Sequence, residues 1–132
     1  MNVSSVVYFF AFAWLLVGCS SLTSGQSARY PKTRVTMGTA SYYSAEFHGH
    51  KTASGEIFDV NKLTAAHQTL SFGQKVRVTN LANDRSVDVI INDRGPFAHN
   101  RIIDLSPAAA HKLDMTRSGT AKVSIELLGQ QR

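Results

Sequence analysis

Two runs of alternating residues, four positions apart, constrain this chain more than any other feature. KVRVTNL at residues 75–81 puts Val76 and Val78 on one face and Lys75, Arg77 and Thr79 on the other. SVDVII at residues 86–91 brings Val87, Val89 and Ile91 into phase. A period of two buries one face of a strand and wets the other, so both runs are predicted strands. The intervening ANDR at 82–85 reads as their hairpin connection. TMGTASYYS at 36–44, LTAA at 63–66, Ile102–Ile103 and AKVSIELL at 121–128 add further short β-forming segments, the last with Val123, Ile125 and Leu127 in phase. Short strands separated by turn signals predict a mainly β chain closed into a barrel. One helix is marked. Ser106 suits an N-cap, Pro107 suits the first helical position, and AAAHKL carries it on, with Ala109, Ala110 and Leu113 facing the barrel.

The amino-terminal third reads differently. Nearly every residue from 6 to 17 is apolar (VVYFFAFAWLLV). A bilayer span takes about 20 such residues, so this run has the length of a signal-peptide core instead. It ends in Leu16-Val17-Gly18-Cys19, which resembles a bacterial lipobox, where cleavage precedes the cysteine and the thiol is lipidated. Each buried CH₂ of an acyl chain contributes ~0.8 kcal/mol to membrane attachment. Cys19 is the only cysteine, which excludes an intramolecular disulfide and a cysteine zinc site. The expected organisation is a signal peptide over 1–18, a lipidated tether over 19–34 and a folded domain over 35–129. Extended, the polar tether reaches on the order of 50 Å. Ser20 and Ser21 lack the aspartate that retains some lipoproteins in the inner membrane, so the expected location is the outer membrane, facing the periplasm. All charged side chains lie beyond residue 28, and their net charge of +5 suits an anionic partner. Export removes nucleic acid from consideration and leaves carboxylate-bearing wall glycan.

Two patches carry candidate chemistry. TASGEIFDVNKLTAAHQ at 52–68 holds Glu56, Asp59 and His67, and Gly49 and Gly55 allow tight turns around it. An ordered loop leading into a strand is expected, and loops on rigid scaffolds commonly carry function. INDRGPFAHNRIIDLS at 91–106 holds Asp93 and Asp104. Asp93 stands where a strand breaks at Gly95-Pro96, and is either a turn cap or a functional carboxylate. Asp104 precedes the helix, where it either supports the Ser106 cap or acts on substrate. His48 and His50 have HxH spacing without a third ligand, so they read as loop residues or glycan contacts. No metal or cofactor is expected. His99 and His111 are expected at the surface. Tyr42 and Tyr43 alternate across a strand, which places one in the core.

GTASYYSAEFHGHKTASGEIFD, LTAAHQTLSFGQKVRVTNL, VIINDRGPF and RIIDLSPAAAHKL together resemble the rare lipoprotein A (RlpA) family over nearly all of residues 37–128. The resemblance implies a six-stranded double-psi β-barrel with one or two short helices. It also implies lytic transglycosylase activity on the β-1,4 bond between N-acetylmuramic acid and N-acetylglucosamine of peptide-stripped peptidoglycan strands. In such a reaction one carboxyl protonates the leaving oxygen. It then assists attack by the muramic 6-hydroxyl, giving a 1,6-anhydro end without water. The acid must hold a proton at cleavage, and crowding of like charges is one means of keeping it there. Glu56, Asp59 and His67 match the family's GExxD…AAH pattern, and Asp93 matches its NDRGP motif. Asp93 is the first candidate for the acid/base. Asp104 competes, because related expansin-like barrels place an aspartate in a similar xxDLS segment. Glu56 and Asp59 are expected to tune the acid or bind hydroxyls, and His67 to orient a carboxylate or stabilise charge on the ring. Arg94 is expected to pair with a carboxylate or bind the lactyl group. Tyr42, Tyr43 and His48 are expected to contact sugar. Larger members add a SPOR domain, and none is expected in a chain ending at Arg132. The alternative reading is a wall-loosening, glycan-binding envelope lipoprotein that cuts nothing.

Overall fold

Residues 34–129 are described by a computed structural model. Cys19, the apolar run and the tether up to residue 33 lie outside the described residues. The strands are β1 (Val35–Tyr42), β2 (Thr64–His67), β3 (Lys75–Asn80), β4 (Ser86–Asp93), β5 (Arg101–Leu105) and β6 (Ala121–Leu127). One helix, α1 (Pro107–Lys112), and a 3₁₀ turn at Ala45–Phe47 complete the elements. The six strands close into a barrel in the order β1-β5-β2-β4-β3-β6. β1–β5 and β2–β4 are parallel and the other four pairings are antiparallel.

The alternating runs pair as their phase requires, with Val76 opposite Val89 and Val78 opposite Val87. These four valines, with Ile91, Ile103, Leu105, Val123 and Ile125, fill the barrel and are essentially inaccessible. Closure leaves no free sheet edge. Two strands run longer than the sequence signals: β4 continues through Asp93, and β5 covers Arg101–Leu105 rather than Ile102–Ile103 alone. In β1, Gly38 lets Ile102 lie against the backbone, since a Cβ there would come within 2.8 Å of three Ile102 side-chain atoms.

α1 closes the barrel with Ala109, Ala110 and the following Leu113, all fully buried. Its start rests on Ser106, whose hydroxyl is buried and fully used. Ser106 Oγ donates to the Lys62 carbonyl at 2.6 Å and accepts from the Ala109 N–H at 3.3 Å and the Thr64 N–H at 3.4 Å. One side chain thus caps the helix and fastens it to the approach of β2. The far end is held by Asn80 and Asn83, which both donate to the Leu113 carbonyl, at 2.9 and 3.0 Å. Ser106→Ala is expected to lower unfolding free energy by about 2 kcal/mol, from the lost cap and the lost bonds to the Lys62 carbonyl and the Thr64 amide. Urea denaturation of the two proteins measures it.

Candidate functional site

Ala66 of β2 is paired on one side with Asp93 of β4 and on the other with Asp104 of β5. Asp104 is paired in turn with Ser41 of β1. The residues form one row, Asp93–Ala66–Asp104–Ser41, across four neighbouring strands. Adjacent strands lie about 4.8 Å apart, so the two aspartate Cα atoms stand about 10 Å apart with only a methyl side chain between them. Ala40, Ala65, Ile91, Ile103 and Leu105, which flank the row along the strands, belong to the core. Side chains alternate along a strand, so the row faces away from the interior. For Asp93 this depends on a register shift: pairing passes from Ala65↔Ile91 to Ala66↔Asp93, leaving Asn92 as an extra residue. A second shift, between Thr39↔Arg101 and Ala40↔Ile103, puts Arg101 on the same face.

Three donors hold the Asp93 carboxylate. Oδ1 accepts from the backbone N–H of Ala53 at 2.9 Å and of Arg94 at 2.8 Å, and Oδ2 accepts from the Tyr43 hydroxyl at 2.6 Å. Ala53 lies in a small hairpin over residues 49–58, closed by Thr52 N–H to Glu56 O and Phe58 N–H to His50 O, both 2.8 Å. Asn92 grips the same hairpin: its carbonyl accepts from Ser54 N–H and its amide donates to Glu56 Oε2, both at 3.2 Å. Beneath it, Phe58 is buried against the Tyr43 ring, centroids 4.9 Å apart. Glu56 is thereby carried to the rim beside Asp93. On the other flank, Asp104 accepts from the Ser41 hydroxyl, which accepts from Arg101 Nη1 at 2.9 Å.

Burial, foremost, pushes the Tyr43 phenol well above its ordinary range. Its hydrogen bond to Asp93 and the charges of Asp93 and Asp104 act in the same direction. Tyr43 therefore remains a donor to Asp93 through the neutral range. His67 is paired with Ile103, which puts it on the interior side of β2 at the barrel's end, next to a cavity of about 320 Å³. Its Nδ1 accepts from Thr69 and Leu70 N–H, both at 3.1 Å, which assigns the ring proton to Nε2. Burial first, and the Arg94 charge second, hold its pKa below the ordinary value.

Asp93, Asp104, Glu56 and Tyr43 are thus gathered, while the other candidates serve the scaffold. Asp59 Oδ1 caps a turn by accepting from Asn61 N–H at 2.9 Å, and His48 Nδ1 accepts from Val60 N–H at 3.2 Å. Tyr42 packs against the core and donates to the Thr116 carbonyl at 2.9 Å. Arg94 pairs with no carboxylate among the described residues. Its guanidinium donates to the Leu70 and His67 carbonyls, at 2.8 and 3.3 Å, and lies 4.0 Å over the Phe72 ring. Asp104 gives nothing to the helix cap, because Ser106 makes that cap alone. Among the described residues no cluster of three His, Cys, Asp or Glu side chains is arranged to hold a metal ion. Three further residues join the site without a local signal in the sequence: Asn92 and Arg101 owe their places to the register shifts, and Ser41 meets Asp104 only through the β1–β5 pairing.

A family model described as lytic transglycolase matches residues 35–125. The chain is 55% identical over 92 residues to the endolytic peptidoglycan transglycosylase RlpA of Campylobacter jejuni, covering 70% of this chain and 34% of that protein. It is 60% identical over 91 residues to the probable endolytic peptidoglycan transglycosylase RlpA of Treponema pallidum, covering 69% and 29%. It therefore spans about a third of the length of these curated relatives. Among solved structures, the Streptomyces papain inhibitor superposes with a TM-score of 0.60 at 23% identity, over 73% of this chain and 96% of that one. A mutant Clavibacter michiganensis expansin in complex with cellohexaose superposes with a TM-score of 0.59 at 18% identity, over 75% and 52%. These two share the fold.

The raised Tyr43 pKa sets a pH dependence. A pKa above its unfolded value of 10.0 means the native state holds the phenol proton more tightly. The stabilisation is complete below pH 10 and is lost as pH climbs past it. Unfolding free energy is expected to fall with rising pH above about 10 in the native protein, and less steeply in Tyr43→Phe. Denaturation midpoints across that range test this.

Proposed function

The chain belongs to the RlpA family, and on that premise we propose that it is a lipid-anchored lytic transglycosylase. Its substrate is the β-1,4 bond between N-acetylmuramic acid and N-acetylglucosamine in peptide-stripped peptidoglycan strands, and its product a 1,6-anhydro-muramic end. The observation that carries this reading is the row itself: two aspartates whose Cα atoms stand about 10 Å apart across a methyl floor, open to a polymer lying over the sheet. Glu56 overhangs one end and Arg101 stands at the other.

In this mechanism Asp93 is the acid/base. It delivers a proton to the glycosidic oxygen as the bond breaks, and positive charge develops on the muramic ring. Asp104, across Ala66, stabilises that charge electrostatically. Asp93, now ionised, takes the proton of the muramic 6-hydroxyl as that oxygen closes on the anomeric carbon. No water enters, unlike hydrolysis by paired carboxylates. Tyr43 and the Ala53 and Arg94 amides fix the carboxyl plane, so little reorganisation is needed at the moment of transfer. Glu56 accepts sugar hydroxyls at the rim. His67 and Arg94 hold the 67–70 turn behind Asp93, and Asp59 and His48 hold the base of the loop.

Anchoring through Cys19 is supported by the apolar run and the lone cysteine at its end. Ser20 and Ser21, in place of a retention aspartate, support an outer-membrane location facing the periplasm, with glycan within the tether's reach. Glycan binding without cleavage is the second reading. One observation favours it: three donors already engage Asp93, as they would a structural carboxylate.

The test is digestion of peptide-free glycan strands followed by mass spectrometry. Anhydro-muramic ends are the expected product, reducing ends would mean hydrolysis, and binding with no product would favour the second reading. Asp93→Asn keeps an oxygen for the two amides and turns its NH₂ toward the Tyr43 oxygen, so the fold is retained. Turnover is expected to fall at least a hundredfold, the scale of losing a general acid/base. Unchanged turnover would transfer that role to Asp104 or Glu56.

A further inference from the structure

Beside the aspartate row lies a second depression, a cavity of about 700 Å³. Its walls include Met37, Gly38, Phe97, His99, Arg101 and Lys122, and no acidic residue lines it. Two features distinguish it from a solvated surface. Phe97 is 90% exposed at its edge, a large apolar ring with nothing over it. Arg101 has a buried Nε with no hydrogen-bond partner. Its Nη1 alone is engaged, by Ser41, and among the described residues the only ion pair is Arg77–Asp88 on the opposite hairpin. Arg101 and Lys122 are both paired with Thr39 of β1, one from each side, and Lys122 Nζ donates to Thr39 Oγ1 at 2.8 Å. Two basic residues, with Cα atoms about 10 Å apart, thus share one face of three strands, with a flat ring lining the same cavity.

Such a cavity suits a ligand with an apolar face and a carboxylate. A pyranose offers its C–H face to an aromatic ring, and a guanidinium binds a carboxylate through parallel N–H donors. We propose that this cavity is an anionic-sugar subsite in which Arg101, assisted by Lys122, binds the free lactyl carboxylate of a muramic residue while Phe97 stacks on a sugar ring. The inference rests on the transglycosylase reading and names what that reading leaves open: the group that makes one strand a better ligand than another. A lactyl carboxyl is free only where no stem peptide is attached, because the peptide converts it to an uncharged amide. The subsite therefore selects stripped strands by charge. Arg101 is two hydrogen bonds from Asp104 through Ser41, so a carboxylate held there lies next to the reacting row.

The experiment reads binding and not turnover, so it stands apart from whether cleavage occurs. Full-length protein carrying Asp93→Asn, first checked to leave the strands uncut, is titrated with peptide-free glycan strands. A second titration uses the same strands after carbodiimide coupling to methylamine, which turns each lactyl carboxylate into an amide. The parent is expected to bind the free-acid strands about tenfold more tightly or better, as one charge-assisted pair implies, and to lose that preference as salt is raised. Adding Arg101→Gln is expected to remove the preference while leaving affinity for the amidated strands unchanged. Retained binding of amidated strands also reports that the variant is folded. No preference in the parent, or an equal loss on both strands in Arg101→Gln, overturns the assignment. Should Arg101→Gln fail to fold, the parent's preference and its salt dependence decide alone. Phe97→Ala is expected to weaken both strands alike.

Discussion

Two one-residue slips in strand pairing determine what this barrel can do. Alternation in β4 would send Asp93 to the same side as Val87, Val89 and Ile91, into the apolar interior. The extra residue Asn92 turns it outward, into register with Ala66. In β5 the extra residue Ile102 does the same for Arg101 relative to Ile103. Burying either charge unpaired would cost several kcal/mol, so the slips reconcile an unbroken core with a charged face. Both occur in the two parallel pairs, β2–β4 and β1–β5. Bulges of this kind re-aim side chains where chemistry is needed. Here they converge on one row from opposite directions.

The Asp93 carboxylate is also structural. The 49–58 hairpin buries one aromatic side chain, Phe58, against Tyr43, and its tip is otherwise held by Asp93 and Asn92. Its placement therefore depends on the same carboxylate that faces the groove. A hydroxyl entering the groove at Asp93 would compete with the Ala53 amide for Oδ1, which links occupancy of the groove to hairpin position through one atom. Tyr43 joins the two functions. Its ring supports Phe58 while its hydroxyl fixes the second oxygen.

The barrel, the β3–β4 hairpin and the Ser106–Pro107 helix start are legible in the sequence because each rests on local periodicity or cap chemistry. So are the acidic positions of the row, since NDRGP and RIIDLS are strand ends rich in turn signals. The partners of those acids are not legible. Nothing local indicates that Asn92 and Ile102 are the extra residues, because a slip is defined by the neighbouring strand. Tyr43 as a donor to Asp93, fifty residues on, and Ser41 as a donor to Asp104, sixty-three on, follow only from closure. Arg94 illustrates the converse. Beside an aspartate in sequence, it suggests a carboxylate partner, yet the backbone carbonyls of the 67–70 turn are nearer to its guanidinium and hold it there.

The small residues of the groove matter as much as the charged ones. Ala66 is fully buried although its neighbours in the row are only half so. Aspartates stand on either side of it, so a longer side chain would fill the gap between them. Gly38 plays a similar part at the other depression, where any Cβ would collide with Ile102. A polymer with no free end to insert needs an open trough rather than a pocket. A trough on a barrel wall arises when strands carrying charged side chains alternate with strands carrying smaller ones. The order β4-β2-β5-β1 supplies that alternation as Asp, Ala, Asp and Ser. The same geometry also separates the acidic flank, at Asp93 and Glu56, from the cationic one, at Arg101 and Lys122. On the proposed function, that polarity would give a bound strand a direction as well as a place.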